Sequence, residues 1–119
     1  MAVGPAIAPY GAWKSPITAD LITGSTVGLS AVAIADGTAY WMESRASEGG
    51  RSVLVAAAGG IERDVTPKGF NLRSGVHEYG GGAVLAAAGA VWFVNFEDQR
   101  VYTQIPGETP RAVTGAGPW

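Results

Sequence analysis

The chain has 119 residues, 47% of them apolar, with ten acidic and eight basic side chains for a net charge of -2. That length allows one domain or a piece of one, and the apolar share is too high for a disordered tail. No Lys/Arg cluster speaks for nucleic acid as a partner, and without cysteine there are no disulfides or thiolate metal sites.

The missing cysteine fits a cytoplasmic location. Eighteen glycines and seven prolines favour many short elements joined by tight turns. The opening "MAVGPAIAPYGAWK" lacks a basic n-region and holds Pro5 and Pro9, so it is a poor signal peptide. The longest uncharged apolar run, 83–94, is shorter than the about 20 residues a membrane-crossing helix needs, so no membrane partner is expected.

In chain order, residues 1–28 read as an irregular, extended N-terminal segment. "LSAVAIA" (29–35) and "TAYWM" (38–42) flank Asp36-Gly37, a hairpin signal because both central positions of a type I′ turn need positive φ. "ESRASEGG" is a loop, "RSVLVAA" a strand, Gly59-Gly60 a turn and "IERDVTP" a short, more polar strand. Residues 68–80 read as a linker. "GGAVLAA" (81–87), a turn at Ala88-Gly89, "AVWFVN" (90–95), "RVYTQI" (100–105) and "RAVTG" (111–115) then repeat the order, before a tail at 116–119.

The two halves align. "DGTAYWM" matches "AGAVWFV", "GRSVLVA" matches "QRVYTQI", and "RDVTP" matches "RAVTG", at offsets of 52, 49 and 48 residues. A repeat of about 50 residues with four strands per unit is the mark of β-propeller blades. The expected fold is therefore all-β, with about two four-stranded blades at 29–67 and 81–115. An eight-stranded sandwich is the alternative. Each repeat unit buries its faces against neighbours, so two blades alone leave two faces open. Trp41, Trp92 and Phe93, in the second strand of each blade, are the residues expected at such packing.

"YGAWKSPITADLI" (10–22), "YWMESRASEGGRSVLV" (40–55), "DVTPKGFNLRSGVHEYGGGA" (64–83) and "FVNFEDQRVYTQ" (93–104) resemble the N-terminal β-propeller of prolyl oligopeptidase-family serine peptidases. The likeness is closest to the acylaminoacyl-peptidase and dipeptidyl-aminopeptidase-like branch, and it covers about residues 9 to 115. It implies a propeller of seven or eight blades capping an α/β-hydrolase domain that holds a Ser-Asp-His triad. The cap admits peptides to the serine. The implied partners are the remaining blades and that hydrolase domain, with peptide substrate possible. The alternative is a free-standing binding or structural module whose further copies complete a ring.

The chain alone is expected to be non-catalytic. None of its seven serines sits in Gly-x-Ser-x-Gly, the elbow a hydrolase of this kind needs. One histidine and sparse carboxylates give no metal site, and no cofactor is expected. Gly80-Gly81-Gly82 precedes a strand, not a helix, so it is not a phosphate loop. It reads instead as close backbone approach where the innermost strand of the second blade begins.

That reading puts His77, Glu78 and Tyr79 near one mouth of the central channel. Two roles stay open for them: hydrogen bonding between blades, or contact with peptide or the hydrolase domain. Trp13 reads as the anchor of an extended segment plugged onto a blade or the hydrolase domain. Arg51 and Arg100 open the third strand of each blade, which suggests a shared job such as pairing with Glu48 or Asp98.

Overall fold

The structure is a computed structural model and describes Gly4 and residues 7–117. Residues 1–3, 5 and 6 of the expected N-terminal segment and 118–119 of the expected tail lie outside the described residues.

Eight strands form two separate antiparallel sheets, each in plain sequence order. The first holds β1 (Val27–Ala35), β2 (Thr38–Arg45), β3 (Arg51–Ala58) and β4 (Ile61–Asp64). The second holds β5 (Val84–Ala87), β6 (Ala90–Asn95), β7 (Arg100–Gln104) and β8 (Arg111–Ala112). These are the two expected four-stranded blades. The turns follow from local chemistry. Asp36/Gly37, Gly59/Gly60 and Ala88/Gly89 all have positive φ at both positions, as type I′ hairpins require.

Three details differ from the sequence reading. The N-terminal segment is not wholly extended: Ala19–Thr23 forms a short helix, α1, whose N-cap Thr18 accepts from the Leu21 amide. Within β1, Ala31 takes φ 52 and the register to β2 shifts between Ser30 and Ala33, a bulge that no glycine announced. The outer strand β8 spans only Arg111–Ala112, although the Val113 amide still bonds the Val101 carbonyl.

The core is the junction between the blades. Tyr40, Leu54, Ala56 and Val65 of the first blade pack on Leu72, Val91 and Phe93. Phe93 stacks on Tyr102 at 5.7 Å, and Phe70 meets both rings edge-on at 5.6 and 5.0 Å. Of the three aromatics expected at such packing, only Phe93 lies here. Strand alternation turns Trp92 to the far side of its sheet and Trp41 to the far side of the other.

Polar contacts also cross the junction. Asp36 Oδ2 accepts from the Gly89 amide at 2.9 Å, tying one hairpin turn to the other. Buried Gln104 donates Nε2 to the Val65 carbonyl at 2.8 Å.

Candidate functional site

The sequence points to the segment between β4 and β5, and the structure shows how it is held. Its first half is zipped between the blades. The Leu72 amide bonds the Ser52 carbonyl, and Leu72 bridges Asn95. Asn71 Oδ1 accepts from the Ser52 amide at 2.9 Å, and the Asn71 amide donates to Asn95 Oδ1 at 3.1 Å. The Arg73 amide reaches the Val94 carbonyl. Gly75 is the last anchored residue, donating to Gln99 Oε1 at 2.8 Å.

Beyond Gly75 the chain makes a tight 3-10 turn at Val76–Glu78. The strand begins only at Val84, so His77, Glu78 and Tyr79 precede the innermost strand by several residues and stand outside its pleat. His77 (φ 53) and Glu78 (φ 62) are consecutive left-handed residues that are not glycine. Such conformations are strained, of order 1–2 kcal/mol each. The turn closes through the Glu78 amide to Gly75 and the Gly80 amide to Val76.

All three side chains are exposed, Tyr79 at 98%, and among the described residues none has a hydrogen-bond partner. Gly81 answers the glycine question: a Cβ there would lie 2.9 Å from Val76 Cγ1. The glycines let the turn fold back on itself. Beside its base, the Arg73 guanidinium lies 5.0 Å over the Phe96 ring.

Arg51 and Arg100 both bond backbone carbonyls that follow the outer strand of their own blade. Arg51 pairs with Glu48 at 2.9 Å and also donates to the Pro67 and Phe70 carbonyls. Arg100 donates Nε to the Thr114 carbonyl at 2.9 Å. Each clamps the chain as it leaves the outer strand of its blade. The Asp98 carboxylate is used elsewhere, accepting from Tyr102 Oη at 2.6 Å, Asn95 Nδ2 and the Arg100 amide. Burial pushes the Asp98 carboxyl upward, but these three donors together hold it below its ordinary value; the same bond raises Tyr102. Trp13 is 65% exposed and bonds the Ala8 carbonyl within its own segment.

Sequence reading missed Arg45. It forks onto Asp64 with two bonds of 2.7 Å, and reaches Glu43 and Glu48 as well. The nearby carboxylates were legible as neighbours in sequence; Asp64, nineteen residues on, was not. Arg45 and Arg51 line a groove of about 890 Å³ at the outer rim of the junction. Their guanidinium nitrogens are already taken by protein acceptors. Among the described residues no group of His, Asp and Glu could hold a metal, and no helix is long and apolar enough to cross a membrane.

Known structures match this arrangement. A puromycin-hydrolysing peptidase from Mycobacterium tuberculosis is 34% identical over 92% of this chain, with a TM-score of 0.80. A puromycin hydrolase is 34% identical with a TM-score of 0.82, and a mutant of puromycin hydrolase complexed with PGG is 35% identical with 0.81. In sequence and in fold the two blades are similar to part of these peptidases of the prolyl oligopeptidase family. The chain spans 18% of the length of each of these relatives. No protein-family model and no curated protein matches it.

Proposed function

We propose that these two blades are part of a cap that binds and gates peptide for an α/β-hydrolase domain in a serine peptidase, and that they are not catalytic themselves. The observation that supports this most is the 34% identity to puromycin-hydrolysing peptidases over 92% of the chain but only 18% of theirs. The nucleophile elbow such a reaction needs is missing from these 119 residues. His77, Glu78 and Tyr79 are the proposed contacts to peptide or to the hydrolase domain. A rigid base at Gly75 and three side chains without partners suit a group that meets something outside its own blades. A cytoplasmic location completes the reading.

The test is turnover of aminoacyl and acyl-aminoacyl chromogenic substrates by the purified 119-residue chain. The expected result is none. Activity that survives repurification and is lost with a serine-reactive inhibitor overturns the non-catalytic reading. In a longer chain that joins these blades to a hydrolase domain, replacing His77, Glu78 and Tyr79 by alanine should change KM for peptides more than kcat. An unchanged KM refutes the contact role.

A further inference from the structure

One polar group at the junction between the blades is left without a partner. Gln104 is 3% exposed, and its buried Oε1 meets no donor among the described residues. Turning the amide over does not cure this. Nε2 gives one proton to the Val65 carbonyl at 2.8 Å and the other to the Glu108 carbonyl at 2.9 Å, and only the nitrogen can bond both. Buried acceptors are nearly always satisfied, so this one calls for a donor from outside the chain. Gln104 lines the rim groove of about 890 Å³, a volume within the range of ligand sites.

The groove has two poles. On the second-blade side the turn after β7 adds Glu108, an exposed carboxylate with no partner among the described residues. On the first-blade side, β4 and the chain that follows it add Arg63 and Lys68, exposed cations that likewise have none among the described residues. The other charged side chains on the wall, Arg45, Arg51, Glu48 and Asp64, are paired with one another. What remains for a ligand is an acceptor end at Gln104 and Glu108 and a cationic end at Arg63 and Lys68. Both walls come from within the two blades. Blades added beyond either sheet stack on the opposite faces, so the groove does not depend on which neighbours flank the pair.

We infer that this groove binds a short zwitterionic peptide, whose ammonium donates to Gln104 Oε1 beside Glu108 and whose carboxylate lies on Arg63 and Lys68. A simple anion answers only the cationic end and leaves Gln104 orphaned. A peptide blocked at one terminus likewise loses one pole. The site is separate from the turn that carries His77, Glu78 and Tyr79, and the inference rests on the groove and not on the gating role.

The test is calorimetric titration of trialanine, its C-terminal amide and its N-acetyl form into the full native chain that carries these blades, with any catalytic serine blocked covalently so that the probe is not cleaved. Trialanine should bind, and each blocked form should bind about tenfold or more weakly. Arg63→Gln combined with Lys68→Gln should weaken trialanine about tenfold and leave the amide where it was. Glu108→Gln should weaken trialanine and leave the N-acetyl form where it was. All three positions are exposed, so none of these changes opens the core, and far-UV circular dichroism matching the wild type confirms it. Coupling of each substitution to one terminus of the probe places the peptide in this groove and not at another site on the chain. No binding of trialanine overturns the inference, because water alone then satisfies Gln104. So does binding that the substitutions leave unchanged, or weaken equally for all three peptides.

Discussion

Thr66 Oγ1 accepts a hydrogen bond from the Leu54 amide at 3.0 Å, and a side-chain oxygen thereby continues the sheet where the outer strand leaves it. The second blade repeats the device: Thr114 Oγ1 accepts from the Val101 amide, also at 3.0 Å. The environments differ. Thr66 is 1% exposed beneath the second blade, whereas Thr114 is open to water. Thr66→Val keeps the shape and strands a buried amide, which should destabilise the chain by about 1–3 kcal/mol. Thr114→Val leaves an amide that water can reach, and should cost no more than about 0.5 kcal/mol. Urea unfolding midpoints compare the two. Equal losses would mean that the junction does not shield Thr66.

Phe93 and Trp92 are sequence neighbours with opposite duties. Phe93 is 1% exposed and stacks on Tyr102. Phe93→Ala should cost about 3–5 kcal/mol. That is a large part of the 5–15 kcal/mol typical of a whole domain, so its thermal transition should fall sharply. Trp92 faces an open side, and Trp92→Ala should cost well under half as much in the monomer.

How much of this was legible in the sequence depends on what each signal encodes. Asp36-Gly37 gave away its hairpin because the turn needs two positive φ values, and those residues tolerate them. The recurrence of Val-Thr after each outer strand marked the blades. Alternation along β6 puts Trp92 and Phe93 on opposite faces, but it does not say which neighbour each face meets. That depends on the direction of the junction, a long-range fact. Arg51 and Arg100 share a sequence landmark, yet their acceptors are mostly carbonyls, which every residue has and no sequence pattern flags. Thr18 and Asp20 were a readable start for α1, with an N-cap and a first-turn acid. The Ala31 bulge and the His77-Glu78 turn were hidden because residues that are not glycine hold left-handed backbone there.

Acid should loosen the rim before the core. Bonding from Arg45 holds the Asp64 carboxyl below its ordinary value, and bonding from Arg51 and then Arg45 does the same for Glu48. A depressed carboxyl contributes stability that is present above its unfolded pKa and is lost as pH falls through the folded one. The loss should therefore begin below pH about 4, near the ordinary Asp and Glu values, and extend lower. Arg45→Met removes the partner of Asp64, and should flatten this acid limb of the stability profile while the neutral-pH fold persists. Denaturant midpoints between neutral and acid pH test it. An unchanged slope would mean that the Arg45–Asp64 fork contributes nothing in solution.

The Val76–Glu78 turn holds strain that its own blades do not reward, and this can be measured. Left-handed backbone at His77 and Glu78 costs more for these residues than for glycine, which adopts it freely. Neither side chain bonds anything in return among the described residues. His77→Gly should therefore stabilise the chain, or leave it unchanged where the greater freedom of the unfolded glycine offsets the relief. Gly80→Ala should do the opposite. Gly80 has φ +82, and a Cβ there would lie 3.0 Å from the Ser74 carbonyl oxygen, so a loss of about 1–2 kcal/mol is expected. Opposite signs for the two substitutions would establish the turn as preformed and strained. That is the state expected of a segment shaped for a contact outside the blades. If His77→Gly destabilises as much as Gly80→Ala does, the imidazole has a structural role, and His77 belongs to the scaffold instead.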